Sequence, residues 1–214
     1  MKLYDYFRSS AAFRVRMALA LKGLSADREF IHLRRKDQLG EAYKAVNPMG
    51  LVPVLDDDDG TVVTQSLAII EYIDETRPGP RLLPADPAGR ARVRAIALAI
   101  ACDIHPLNNL RVLRHLDTSF GTDEATRTRI WYRHWIDEGL DGVEAMLAGQ
   151  PATGRFAHAD APTLADCCIV PQLYNARRFG ADMARWPTLG RVEAACLALP
   201  AVQAALPENQ PDAE

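Results

Sequence analysis

Apolar and polar positions follow one pattern up to about residue 80 and another beyond it. In the first part, short apolar runs alternate with helical repeats. Leu3 to Phe7 reads as a strand, and Ala11 to Lys22 as a helix with Phe13, Met17, Ala20 and Leu21 on one face and Gly23 as its stop. Asp27 to Leu33 predicts a second strand, and Arg34 to Gly40 a polar surface element that is mobile around Gln38. A short helix follows and must end before Asn47-Pro48, because the residue preceding proline is pushed out of helical conformation. Leu51-Val52-Pro53-Val54-Leu55 predicts an apolar strand whose proline, lacking an N–H, belongs at its start or on an edge. Asp56 to Gly60 is a hairpin turn, Thr61 to Thr64 a strand, and Leu67 to Glu75 a helix entered through Gln65-Ser66.

The proline-rich stretch from Arg77 to Pro87 leads into a part with no strand pattern. Arg90 to Leu116 reads as one long helix kinked at Pro106. Asp123 to Leu147 repeats Ile130, Trp131, Trp135, Ile136, Leu140, Val143 and Leu147 at helical spacing, a core stripe. Pro162-Thr163-Leu164-Ala165-Asp166 is a capping box opening a helix from Leu164 to Phe179, and a last helix runs from Leu189 to Leu199. The expected organisation is an α/β domain over residues 1–80, an all-helical domain over 88–206, and a polar tail over 207–214, frayed or draped on the surface.

Composition narrows the function. With 214 residues and 48% hydrophobic content the chain can bury a real core. A net charge of -3 supplies no global attraction for nucleic acid or an anionic membrane, so any basic site must be local. No apolar run approaches a membrane span, and the charged N-terminus lacks the apolar core of a signal peptide, which points to the cytoplasm. The four cysteines are too few and too irregular for a disulfide framework and read as reduced, mostly buried thiols.

Candidate chemistry centres on Arg8-Ser9-Ser10, where a strand runs into a helix. The first amides of a helix lack intrahelical partners, so hydroxyls, N–H groups and Arg8 converge where an anion such as a thiolate is favoured. Ser9 alone would be a cap. Ser66 opens a second helix in the same way, and an amide there can bind a carboxylate, so the two sites can serve one ligand. Asp56-Asp57-Asp58-Asp59 lacks the alternating spacing of a metal loop and is read as a solvated turn, with no metal. His105, beside Pro106, reads by itself as a satisfied helix histidine.

Phe7-Arg8-Ser9-Ser10 with Arg14-Val15-Arg16, Asn47-Pro48-Met49-Gly50-Leu51-Val52-Pro53, Gln65-Ser66-Leu67-Ala68-Ile69-Ile70-Glu71-Tyr72, Cys102-Asp103-Ile104-His105-Pro106, Thr163 to Asp166 and Asn209-Gln210-Pro211 together resemble the zeta class of glutathione transferases. That class includes the glutathione-dependent maleylacetoacetate and maleylpyruvate isomerases. The resemblance covers nearly the whole chain and implies a thioredoxin-like N-terminal domain followed by an all-α C-terminal domain, usually as a homodimer. It places Ser9 and Ser10 at the glutathione thiol, Gln38 at the glycyl end, Val52 and a cis Pro53 at the cysteinyl unit, and Gln65 and Ser66 at the γ-glutamyl carboxylate. It also places His105, Asn109 and Arg111 near glutathione or the second substrate, with Asp103 less firmly there.

The family's Ser-Ser-Cys is here Ser9-Ser10-Ala11, so glutathione must supply the only sulfur at this motif. A free thiol has a pKa of about 8.5, and hydrogen bonds at a helix start lower it. Ser9, Ser10 and the local amides are the donors; Tyr4 and Tyr6 compete but sit inside the strand. The implied reaction is cis–trans isomerisation of a maleyl keto-diacid in aromatic compound catabolism. Arg8, Arg111 and Arg177 are the candidates to hold its carboxylates two-pronged. The residues leave maleylacetoacetate and maleylpyruvate equally open, and which serine dominates. A transferase conjugating α-halo acids and a non-catalytic interaction module of the same fold are the rival readings.

Overall fold

A computed structural model describes residues 1–214 as two compact units, Met1–Leu83 together with Leu197–Glu214, and Pro84–Cys196. In the first unit the elements run β1 (Lys2–Asp5), α1 (Ser10–Leu21), β2 (Asp27–Phe30), α2 (Glu41–Val46), β3 (Val54–Asp56), β4 (Val62–Thr64) and α3 (Ser66–Thr76). The four strands form one sheet in the order β2-β1-β3-β4. β1 and β2 are parallel, and the other two pairings are antiparallel. α1 packs against α3. Below the sheet end, Tyr6, Phe7, Ile31, Tyr43, Val52 and Val54 form a buried cluster. α1 stops as expected at Gly23, whose φ of 69° suits a residue without Cβ.

Four expectations for this unit change. The strand over Asp27 to Leu33 ends at Phe30, and Gln38 is buried at 6% exposure in a 3-10 turn, Asp37–Leu39. The Asp56–Gly60 hairpin forms, but Asp57 is buried: Tyr72 Oη donates to it at 2.5 Å, the Asp58 N–H at 2.9 Å, and Arg77 pairs with it. The tail is docked. α9 (Pro200–Ala204) packs on α1, Arg16 Nε donates to Ala205 O at 3.1 Å, and Gln210 is buried, so residues from 197 onward join the first unit instead of forming the end of the helical one and a loose tail.

The second unit holds α4 (Pro87–Leu98), α5 (Leu110–Phe120), α6 (Arg133–Leu147), α7 (Leu164–Arg178) and α8 (Pro187–Leu197). The single helix expected over Arg90 to Leu116 is broken. After α4 come a π-helical stretch, Ala99–Ile104, and a 3-10 turn, His105–Asn108, before Asn109 caps α5 with its side chain. Gly139 explains how closely α6 approaches this stretch: a Cβ there would lie 2.3 Å from Ile104 Cγ1. Of the expected core stripe, Ile136, Leu140, Val143 and Leu147 are buried, whereas Ile130 is 67% exposed. The capping box is present, with the Thr163 N–H donating to Asp166 Oδ2 at 2.8 Å.

Candidate active site

Strand register decides which residues meet in the first unit. Asp5, at the end of β1, pairs with Phe30 at the end of β2; Tyr4 pairs with Val54 at the start of β3, which pairs with Thr64 at the end of β4. One end of the strands therefore gathers the segments that leave β1 (Arg8-Ser9-Ser10), enter β3 (Val52-Pro53) and leave β4 (Gln65-Ser66).

Ser9 caps α1 with its own φ and ψ at -70° and 116°, and its Oγ accepts the Ala12 N–H at 3.2 Å. A hydroxyl that accepts from the helix keeps its own proton to donate outward. Ser10 opens the helix and is half-buried. Arg8, also half-buried, lays its guanidinium 4.9 Å from the Phe7 ring centre and makes no ion pair. Tyr6 does not suit the rival role: its hydroxyl is buried without a partner, and burial raises its pKa.

Ser66 is not the cap of α3 but its first residue, buried, with Arg14 Nη1 donating to its Oγ at 3.2 Å. Gln65 takes the cap position at φ 72° and ψ 120°, exposed and without a capping side-chain bond. A non-glycine residue at positive φ is a strained choice that clusters at ligand sites. It turns the chain so that Gln65 faces solvent while Ser66 stays inside.

The Val52–Pro53 bond is cis, and β3 begins only at Val54, so the Val52 amide and carbonyl lie outside the ladder. Tyr43 Oη and Asn47 Nδ2 both donate to Leu51 O at 2.7 Å and fix the approach to it. Gly50, at φ 61°, brings this segment against the Gln38 turn: a Cβ would sit 2.9 Å from Gln38 O. Gln38 Oε1 is buried with no partner. Arg14, Gly50 and the Gln65 conformation carry no functional signal in the residues taken singly; the family motifs that contain them, Arg14 to Arg16, Asn47 to Pro53 and Gln65 to Tyr72, are the pointers to them.

In the second unit His105 is half-buried at the start of its 3-10 turn, and Cys102 and Asp103 are exposed. Asn109 Oδ1 accepts the Arg111 N–H at 3.1 Å, and the Arg111 side chain is exposed and makes no ion pair. Arg177 differs: its Nη1 and Nη2 donate to the two carboxylate oxygens of Glu193 at 3.0 and 2.5 Å. Cys167, Cys168 and Cys196 are buried and in no disulfide, and burial pushes the Cys196 thiol up. No group of three or more His, Cys, Asp or Glu is placed to hold a metal ion.

Comparison with known proteins gives this geometry a family. The profile of the glutathione S-transferase N-terminal domain matches residues 8–76. Maleylpyruvate isomerase of Ralstonia is 48% identical over 212 residues, 99% of each chain. A holo structure of maleylpyruvate isomerase, a bacterial zeta-class glutathione S-transferase, superposes with a TM-score of 0.96 at 48% identity, covering all of both chains. Maleylacetoacetate isomerase from Anaeromyxobacter dehalogenans, with dicarboxyethyl glutathione and citrate in its active site, superposes with a TM-score of 0.88 at 46% identity, covering 100% of this chain and 97% of that one. The chain belongs to the zeta class of the glutathione transferases, alongside the maleylpyruvate and maleylacetoacetate isomerases.

Proposed function

We propose that this protein is a glutathione-dependent isomerase that converts a maleyl keto-diacid, maleylpyruvate or maleylacetoacetate, to its fumaryl isomer. The observation that carries the reading is Ser9, whose Oγ is oriented by the Ala12 N–H at the start of α1 so that its proton points away from the helix. The residues around it fit glutathione. Val52 offers main-chain groups outside the ladder, Gln38 an unpartnered buried amide oxygen, and Ser66 a hydroxyl polarised by Arg14. Gln65 and Ser66 hold the γ-glutamyl carboxylate at the α3 N-terminus, Val52 and Pro53 the cysteinyl unit, and Gln38 the glycyl end. His105 and Asn109 are further candidates to serve glutathione.

Glutathione, when bound, supplies a thiolate whose reversible addition to the cis double bond allows rotation before it leaves. Ser9 and Ser10 donate hydrogen bonds to that sulfur and, with the helix start, hold it ionised near neutral pH. Arg8 and Arg111, neither in an ion pair, hold the diacid carboxylates and oppose the charge that grows on the keto oxygen. The Glu193 pair fixes the Arg177 guanidinium in place and leaves its remaining N–H groups for a carboxylate. The Anaeromyxobacter relative, bound to a glutathione derivative carrying two carboxylates, supports a diacid site. The protein works as a homodimer in the cytoplasm, in aromatic compound catabolism. In support, no helix is long and apolar enough to cross a membrane, and none of the four cysteines is in a disulfide.

The test follows the enol absorbance of maleylpyruvate and of maleylacetoacetate with and without glutathione. Glutathione-dependent loss of either signal, with glutathione recovered intact, is expected. No turnover of either, with stoichiometric consumption of glutathione by α-halo acids, would make the protein a conjugating transferase instead. Retention on glutathione resin with no turnover of anything would make it a binding module.

A further inference from the structure

The turn that presents Arg8 and Ser9 is held from a distant part of the chain. Three of its main-chain groups have partners that decide its course. Tyr6 O accepts the Ser9 N–H at 2.9 Å and Arg16 Nη1 at 3.3 Å, and Phe7 O accepts Arg16 Nη2 at 2.9 Å. A fourth group, the Phe7 N–H, donates to Asp212 Oδ2 at 2.9 Å, across 205 residues of sequence. Phe7 bears on both functional side chains, since Arg8 rests on its ring and Ser9 follows two residues on.

Asp212 is itself held on both sides. Gln210, buried, donates from Nε2 to Ala204 O at 2.9 Å and to Leu206 O at 2.7 Å, and its Oε1 accepts Nη1 and Nη2 of Arg28, each at 3.3 Å. Glu214 Oε1 lies 2.6 Å from His32 Nε2. Pro211, with its fixed φ, joins Gln210 to Asp212. No step of the reaction uses the Asn209-Gln210-Pro211 run, yet this anchoring lets it seat one carboxylate oxygen under one amide of the active-site turn.

We propose that Asp212 is a positioning residue for the isomerisation, which, by accepting the Phe7 N–H, sets the turn that aims the Ser9 hydroxyl at the sulfur and seats Arg8 on Phe7. The proposal rests on the glutathione reading above. It requires an acceptor at Asp212, not a negative charge, so Asn should serve and Ala should not. Loss of the acceptor moves Ser9 relative to the sulfur while Gln65, Ser66 and Val52 still bind glutathione, so kcat falls more than KM for glutathione rises.

The experiment compares the full-length protein with Asp212→Ala and Asp212→Asn by ultraviolet titration of the thiolate of bound glutathione, by kcat and KM, and by thermal melting. Asp212→Ala is expected to move the thiol titration to higher pH and to lower kcat about tenfold with less than about threefold change in KM. Asp212→Asn is expected to stay within about threefold of the unchanged protein. Should Asp212→Ala not fold, Gln210→Ala, which loosens the segment but keeps the carboxylate, is expected to shift the titration the same way by less. A lower melting temperature with an unmoved titration and kcat would overturn the proposal, as would an Asp212→Asn protein as impaired as Asp212→Ala. Absence of any thiolate signal in the unchanged protein would instead overturn the glutathione reading, and the proposal with it.

Discussion

Arg14 reaches from the second turn of α1 to the first residue of α3, where its Nη1 donates to Ser66 Oγ at 3.2 Å. Both residues are buried, Arg14 at 2% and Ser66 at 6% exposure. The contact joins the helix start proposed for the glutathione thiol to the one proposed for the γ-glutamyl carboxylate, and on that proposal it leaves the Ser66 proton for the carboxylate. That binding is the same in ground and transition states. Arg14→Met should therefore raise KM for glutathione about tenfold and change kcat less than about threefold. Steady-state kinetics with glutathione varied would check it; a fall confined to kcat would contradict it.

Ser9 and Tyr6 make opposite predictions for the pH profile. The rate rises with pH as the thiol ionises, and a donor to the thiolate moves that rise to lower pH. Ser9→Ala should move the ascending limb of kcat/KM toward the ordinary thiol value of about 8.5, and Ser10→Ala by a smaller amount. Tyr6→Phe removes a buried hydroxyl that has no partner, so it should leave the limb in place and stabilise the fold by about 1 kcal/mol. A pH–rate series with thermal melts on the three variants decides between them.

Arg8→Ala, Arg111→Ala and Arg177→Ala should each lower kcat/KM for the diacid about tenfold or more while changing conjugation of an uncharged electrophile less than about threefold. Equal losses on both substrates would show that these arginines serve glutathione or the fold. Arg177→Ala carries an extra stability cost, because Glu193, 4% exposed, loses its partner. With Arg177 itself half exposed, that cost should be about 2 kcal/mol, read as a lowered denaturation midpoint.

The candidate arginines and serines can be named from the residues alone, and the reasons other features cannot are physical. A period-2 or period-3.6 pattern reveals an element when one face is buried, as in β1, where Leu3 and Asp5 are buried and Lys2 and Tyr4 half-buried, and in α3, where Ser66, Ile69, Ile70, Ile73 and Asp74 are buried. α1, buried on all sides from Ala12 to Leu19, is read from its apolar content and its Gly23 stop. Gln38 lies in a run of polar residues and is buried by its own turn and by Gly50, neither of which leaves a hydrophobic signal. The break at Asn109 pits one capping side chain against an apolar repeat that continues through it, and the cap wins because Pro106 has already removed a backbone donor. Arg14, Arg16 and Asp212 are charged residues whose roles come from partners far away in sequence. For Arg14 and Asp212 the separations are 52 and 205 residues, so no local pattern could show them. The docking of the tail is hidden for the same reason.

Asp57 gives a stability prediction with a definite sign. The Tyr72 hydroxyl, the Asp58 amide and Arg77 hold its carboxyl below the ordinary aspartate value. A depressed folded pKa means that the unfolded chain binds the proton more readily. The stabilisation is therefore fully present above the unfolded value of about 4 and is lost as pH falls through the folded one. Asp57→Asn should be less stable than the unchanged protein by about 1 kcal/mol at neutral pH, and the difference should close in acid. Chemical denaturation at neutral pH and at several acidic values tests this, and a gap that widens on acidification would refute it.

Asp166 is fully buried in the helical unit, and burial raises its pKa above the ordinary carboxyl value. Four donors nonetheless converge on it: the Ala157 N–H at 2.9 Å, the Thr163 N–H at 2.8 Å, Thr163 Oγ1 at 2.8 Å and, more weakly, Cys196 Sγ at 3.8 Å. Two of these are main-chain groups of different loops, so the residue both starts α7 and ties the Phe156-Ala157 segment to it. Asp166→Ala would leave both amides buried without acceptors, at a cost of about 3 kcal/mol. Thr163→Val removes only the hydroxyl and should cost about 1 kcal/mol. Neither variant touches the residues that meet at one end of the strands in the first unit, so KM for glutathione should hold at temperatures where the variants remain folded. Denaturation midpoints measured beside glutathione kinetics would separate this folding role from a catalytic one, and a change in KM without loss of stability would contradict it.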